Sequence, residues 1–292
     1  MNRCLAMIFA LFLTVLTVSS TCIAAPNEWV HFTLEPAHGG AGLHASFWKE
    51  NGSHNDNNWS TSFMPTQLAG LDLAGFHAAG TRPLRFAIVR EAGRLDCAGD
   101  GGNSLARGNC SFTPDPGFAQ LLASRGIGRP TREQTFGLMA IDAHRSLIDA
   151  LASARYPMPS IDNLMALTAL GVTSDYIGGL SRVGYRPQSI DTLIQFKALN
   201  ITPEWIGGLV KIGYANVPGD ELVQLKAMNI TPDFITGFDR IGYRHLPVDA
   251  LVQLKAVGVT PEFARAVVAD RRTMPPVNEL VEMKVLGHRP RH

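Results

Sequence analysis

Leu225-Lys226-Ala227-Met228-Asn229-Ile230-Thr231-Pro232-Asp233-Phe234 returns 29 residues later as Leu254-Lys255-Ala256-Val257-Gly258-Val259-Thr260-Pro261-Glu262-Phe263. The period extends outward from this pair. Gly171-Val172-Thr173 and Asn200-Ile201-Thr202 stand in the same register, as do Tyr156, Tyr185, Tyr214 and Tyr243. So do Leu138, Leu167, Phe196, Leu225, Leu254 and Met283. Several registers holding one period over this length define a repeat array from Thr131 to Pro275.

One unit, Ser189 to Val217, can be read residue by residue. Ser189 is a good N-cap, and Asp191 in the first turn complements the helix dipole. Ile190, Leu193, Ile194, Phe196 and Leu199 then recur at helical spacing as a buried stripe. Asn200 ends the helix because it tolerates the left-handed conformation. Thr202 caps a second helix, Pro203 fits its first position, and Glu204 suits its positive end. Trp205, Ile206, Leu209 and Ile212 form its buried face, and Gly213 stops it. The apolar stripe is the surface a unit buries on its neighbour, not a cofactor pocket. Gly179, Gly208, Gly237 and Ala266 share one register of the second helix. Glycine inside a helix costs up to ~1 kcal/mol, so close packing is expected to offset it there.

Upstream, the pattern changes from helical to alternating. Val30, Phe32 and Leu34, then Leu43, Ala45 and Phe47, alternate with polar or amphipathic residues, and Trp59–Met64, Leu84–Val89, Leu95–Cys97 and Cys110–Thr113 follow. This predicts about six short strands in a sandwich-like or barrel-like antiparallel sheet. Gln67–Gly80 reads as a loop with a short helical turn, and Phe118–Ser124 as a bridging helix. The fold class is therefore α+β: a small antiparallel β-domain followed by an α-solenoid of 29-residue helix-turn-helix repeats. The expected boundaries are 1–24 for a signal peptide, 25–115 for the β-domain, 116–130 for a linker and 131–292 for the array. The array would comprise five units and a half-unit cap at Pro276–Gly287.

Residues 1–24 have a secretory signal's layout, with Arg3 as the only charge, an apolar core at Leu5–Val18 and small residues near Ala24. Cleavage before Ala25 predicts a periplasmic or secreted protein. The alternatives are an uncleaved anchor, for which Ser19, Ser20 and Thr21 leave the apolar run short, and a lipidated Cys22, for which Ser19 is a poor match. The formal net charge of +1 falls to 0 once Arg3 is removed. Nothing in that balance points to nucleic acid.

Cys4 and Cys22 lie in the signal, leaving Cys97 and Cys110. Both alternate with apolar residues on one strand face. Ala98–Asn109 between them, rich in Gly, Asn and Asp, reads as the long tip of a hairpin. Two independent buried thiols are one reading. A disulfide is favoured by the even count in an exported chain, and closing such a loop contributes ~3 kcal/mol in the chain-entropy view.

Motifs for catalysis or ligation are absent from the sequence. There is no His-Glu-x-x-His and no Gly-x-Ser-x-Gly. Gly99-Asp100-Gly101-Gly102 lies between two expected strands rather than before a helix, so a nucleotide loop is excluded. His31 and His44 lack a third ligand, and Asn51–Asn58 lacks the carboxylates of a calcium loop. No catalytic, metal-binding or cofactor-binding residue is assigned, and no cofactor is expected.

The two quoted repeats, with Arg85-Phe86-Ala87-Ile88-Val89-Arg90-Glu91-Ala92-Gly93 and Ser111-Phe112-Thr113-Pro114-Asp115-Pro116, resemble the C-terminal extracytoplasmic region of bacterial membrane zinc metallopeptidases of the antibiotic-sensing type. The resemblance spans the mature chain. It implies an extracytoplasmic module attached to, or freed from, a sensor peptidase. The transmembrane peptidase and its zinc ligands are missing here, so no catalytic residue carries over. Aromatics common in that family where Cys97 and Cys110 stand imply a facing pair replaced by a bridge.

Function is therefore expected to be non-catalytic: a binding, scaffold or sensor module for a protein or peptide of the cell envelope, such as a membrane sensor, with membrane attachment only if the signal is retained. The alternatives are a cell-envelope hydrolase with a site between the two domains, or a purely structural envelope protein. Converging carboxylates or a histidine pair in the cleft would favour the enzyme; a smooth groove would favour binding. Two cationic rows carry the surface expectation. Lys197, Lys226, Lys255 and Lys284 lie in the last turn of their helices among apolar residues, which suits a stem that packs and an amine that reaches solvent. Arg182, Lys211 and Arg240 are expected to be more exposed and form the candidate partner surface.

Overall fold

The computed structural model describes residues 30–39, 42–49, 58–271 and 273–287. The signal segment with Cys4 and Cys22, and most of the Asn51–Asn58 loop, lie outside the described residues. Six strands, β1 (Val30–Pro36), β2 (Leu43–Trp48), β3 (Trp59–Phe63), β4 (Arg82–Arg90), β5 (Gly93–Gly102) and β6 (Leu105–Pro114), form one antiparallel sheet in the order β3-β2-β1-β6-β5-β4. Alternation aligns the buried faces: Phe32 is opposite Phe47, and Leu34 is opposite Ala45.

A sandwich is not formed, because there is no second sheet among the described residues. The single sheet instead curls on itself. Phe32 of β1 meets Phe86 of β4 edge-on at 5.1 Å, although β6 and β5 lie between those strands. Arg90 of β4 lies over Trp59 and Phe63 of the opposite edge strand. The edges do not pair. Between them runs a 3-10 turn at Pro65–Gln67, a single bridge from Ala69 to Ala87, and α1 (Leu73–His77), which buries Phe76.

The hairpin between the cysteines differs from its sequence reading. There is no long tip. β5 and β6 run on for ten residues each, so Gly99-Asp100-Gly101-Gly102 lies inside β5. Only Asn103 and Ser104 make the turn, both left-handed at φ 53° and 63°, as a two-residue primed turn requires. The glycines serve close approach instead. Gly99 faces Gly108, and a Cβ on Gly99 would stand 2.0 Å from the Arg107 carbonyl oxygen. Cys97 and Cys110 are direct cross-strand partners whose sulfurs lie 2.02 Å apart, at disulfide distance.

After α2 (Pro116–Ser124), capped by Asp115, the array begins. Its first helices are α3 (Arg132–Ala140), α5 (Ile161–Ala169), α7 (Ile190–Ala198), α9 (Gly219–Ala227), α11 (Val248–Ala256) and α13 (Val277–Val285). Its second helices are α4 (Arg145–Ser153), α6 (Ser174–Arg182), α8 (Pro203–Lys211), α10 (Pro232–Asp239) and α12 (Pro261–Ala269). First helices stack on first helices and second on second, as in a solenoid. Ser189 and Thr202 accept hydrogen bonds from the N–H groups of Thr192 and Trp205, and Asn200 and Asn229 end their helices at φ 54° and 51°. Leu164, Leu193, Leu222, Leu251 and Leu280 form one fully buried row.

Two expectations change. Leu199 is 36% exposed, because it occupies the C-cap, where the chain turns away from the neighbouring unit. The small residues of the second helices meet proline rings rather than helix backbones. A Cβ on Gly179, Gly208 or Gly237 would lie 2.7, 3.3 or 2.6 Å from the ring of Pro203, Pro232 or Pro261 in the next unit. The proline that starts each second helix thus also keys it into the previous one.

Candidate functional site

The first array unit closes against the sheet. Arg132 donates to the Phe112 carbonyl at 2.6 Å, and Phe112 meets Phe136 edge-on at 5.3 Å. Beside this contact lies a cleft of about 600 Å³ lined by Thr66, Gln67, Arg90, Glu91, Asp142 and His144, among others. It is the place anticipated for a site between the domains.

Arg90 ends β4 and points into α3. Its guanidinium donates to the Met139 and Ala140 carbonyls at 2.7 and 2.6 Å, and pairs with Asp142 at 3.4 Å. A cation at the C-terminal carbonyls of a helix meets the negative end of the dipole. Burial lowers the Arg90 pKa while Asp142 pulls it back up; a group with so high an ordinary value stays charged. Glu91, in the turn after β4, binds the start of α4. Its Oε2 accepts the Arg145 backbone N–H at 2.8 Å, and its Oε1 lies 3.1 Å from His144 Nδ1. His144 is the N-cap of α4 but makes no cap bond with its own side chain, so a carboxylate from the sheet takes that role. His144 Nε2 is 3.5 Å from Asp142.

Two carboxylates therefore do converge on one histidine. Their hydrogen bonds, however, run from sheet to array. Both ring nitrogens of His144 face carboxylates, and both oxygens of Glu91 are engaged. This arrangement fixes the angle between the two regions. Among the described residues no group of three or more metal-ligating side chains is present. His31 stacks on Trp48 and His44 is opposite Glu35, so the sheet does not bring the two histidines together as a pair of cross-strand partners.

The two cationic rows separate sharply. Lys197, Lys226, Lys255 and Lys284 each place Nζ over an aromatic ring of the preceding unit: Tyr176 at 4.7 Å, Trp205 at 5.1 Å, Phe234 at 4.9 Å and Phe263 at 4.8 Å. Each ring belongs to the first turn of a second helix, so every contact ties two units together. The aromatic partners were legible in principle, since Tyr176, Trp205, Phe234 and Phe263 recur at the same 29-residue period. The clamp of Arg90, Glu91, Asp142 and His144 carried no such signal.

Arg182, Lys211 and Arg240 are exposed, and none makes an ion pair among the described residues. They end α6, α8 and α10 on one side of the stack. Close by, the Glu204 carboxyl is held below its ordinary range by the backbone N–H at its helix start, by the Thr202 hydroxyl and, less strongly, by Arg182. No model of a known protein family matches the chain, and no characterised protein matches it either. No helix among the described residues is long and apolar enough to cross a membrane.

Proposed function

We propose that this protein is a non-catalytic, extracytoplasmic binding module whose array presents Arg182, Lys211 and Arg240 to an acidic segment of a protein or peptide partner. The observation that carries this reading is the contrast between the two rows. Four lysines are occupied by aromatic rings, whereas three cations in a second register are exposed and without an ion pair among the described residues. Stacked helices lie ~8–10 Å apart, close to the ~8 Å screening length at physiological salt. The three charges can therefore act on one extended ligand. Fluorescence anisotropy of a labelled oligoglutamate peptide tests this. Binding should weaken as salt rises, and should be lost when Arg182, Lys211 and Arg240 are all changed to Glu. Binding that survives the triple change refutes the proposal.

A hydrolase at the sheet–array cleft is the second reading, favoured by Glu91 and Asp142 converging on His144. General acid–base chemistry requires a ring nitrogen free to meet substrate, and here both face carboxylates. Hydrolysis of peptide or ester reporters that is abolished by His144→Gln, with an unchanged melting temperature, would turn the assignment toward this second reading.

A further inference from the structure

The tyrosine register is uniform in sequence but not in geometry. Tyr214 donates to the Leu246 carbonyl and Tyr243 to the Pro275 carbonyl, both at 2.6 Å. Each acceptor lies in the next unit, two residues before the first helix that follows it, which opens on Val248 or Val277. By that pattern Tyr185 would reach the Val217 carbonyl. Neither its hydroxyl nor that of Tyr156, which by the same pattern would reach the Gln188 carbonyl, makes a hydrogen bond to a described residue.

The first helices α5, α7, α11 and α13 open on Ile161, Ile190, Val248 and Val277, whereas α3 opens on Arg132 and α9 on Gly219. A Cβ on Gly219 would stand 2.9 Å from the Thr192 Cγ2 methyl and 3.4 Å from the Tyr185 hydroxyl. Tyr185, stacked on Phe196 at 5.6 Å, holds its hydroxyl beside this glycine.

Gly219 lines a cavity of about 660 Å³ together with Tyr185, Arg186, Gln188, Thr192, Asn216 and Asp220, among others. The size is in the range of small-molecule sites. Burial, and then the nearby Asp220 carboxylate, raise the Tyr185 pKa, so the phenol stays protonated and available as a donor. Arg186 is already committed: it donates to the Arg155 carbonyl and lies over the Tyr156 ring at 5.4 Å. The side chains of Gln188, Asn216 and Asp220 make no hydrogen bond to a described residue. The lining thus has one cation and one anion, and offers two amides, a carboxylate and a phenol.

We propose that this cavity binds a neutral, polyhydroxylated ligand, a saccharide unit, through Tyr185, Gln188, Asn216 and Asp220. Amides and carboxylates present paired donor and acceptor positions that match adjacent hydroxyls. A lining without net charge, whose cation is occupied, gives little preference to an ionic ligand. The inference is independent of the acidic-partner surface.

Isothermal titration of the full chain with cellobiose, maltose and chitobiose tests it, with glycine and putrescine as the zwitterionic and cationic comparisons. At least one disaccharide should bind. Gly219→Val would set a Cβ 2.9 Å from the Thr192 methyl and 3.4 Å from the Tyr185 hydroxyl, crowding the cavity, so it should abolish binding. Asp220→Ala and Gln188→Ala, both at exposed positions, should each weaken binding about tenfold, the loss of one good hydrogen bond. They carry the test if Gly219→Val fails to fold. The proposal is overturned if no disaccharide binds, if glycine or putrescine binds in place of the sugars, or if binding is unaffected by these substitutions.

Discussion

The sheet and the array both bury apolar faces but obey different geometry. In the sheet, β1 finds β6 across most of the β-region, and the hairpin glycines have meaning only through the strand opposite them. In the array every important contact is to the next unit: a glycine against a proline ring, a lysine over an aromatic ring, a tyrosine on a carbonyl. Contacts of the first kind form together; contacts of the second kind add up unit by unit. Damage to the sheet should therefore spread, whereas damage to the array should stay near its origin unless it removes a unit altogether.

The largest expected effect removes units. Cutting the chain after Val217 strips α9 and its successors from α7 and uncovers the row that includes Leu193 and Phe196. The product should aggregate or melt far below the full chain. An unchanged unfolding midpoint would contradict the nearest-neighbour account.

Single cavities come next and test locality. Phe32→Ala in the sheet should cost ~3–5 kcal/mol and Leu222→Ala in the array ~2–5 kcal/mol. Hydrogen exchange should show protection lost across all six strands for the first, but mainly in α7, α9 and α11 for the second. Equal spreading in both would erase the distinction drawn here.

The cysteine pair is next in size. Cys97→Ser with Cys110→Ser should lower stability by ~3 kcal/mol, felt in the sheet. Thiol labelling of the unreduced wild type should find neither sulfur free; two readily labelled thiols would exclude the bridge.

Alkali should act on the array instead. Burial pushes the Tyr156 and Tyr214 pKa values up to about 12. A raised pKa means the stability these phenols contribute is complete below the unfolded value near pH 10 and is lost as pH rises toward 12. Helical circular dichroism should fall across that window, and Tyr214→Phe should blunt the fall.

The smallest effects separate the two cationic rows. Lys226→Ala removes the contact over Trp205 and should lower stability by ~0.5–1 kcal/mol. Lys211→Ala should leave the melt unchanged and weaken oligoglutamate binding. A stable Lys226→Ala beside a destabilised Lys211→Ala would reverse the roles.

Much of the array was written in the sequence, and for a physical reason. Caps such as Ser189 and Thr202, stops such as Asn200, and the Leu193 stripe act within one helix or between adjacent copies. Repetition then makes each of them visible several times. Tertiary structure decided what depends on a distant partner. The glycines of β5 read as a loop until Gly108 is seen opposite Gly99. Arg90, Glu91 and His144 become one clamp only when β4 meets α3 and α4, which lie about fifty residues away. Gly219 sits between these cases. A glycine at a position where four other first helices carry Ile or Val is plain in the sequence, but only packing shows that Tyr185 and a cavity lie beside it. Local chemistry repeats along a chain and can be read there; which surfaces meet is set by closure in space, which no short stretch of sequence contains.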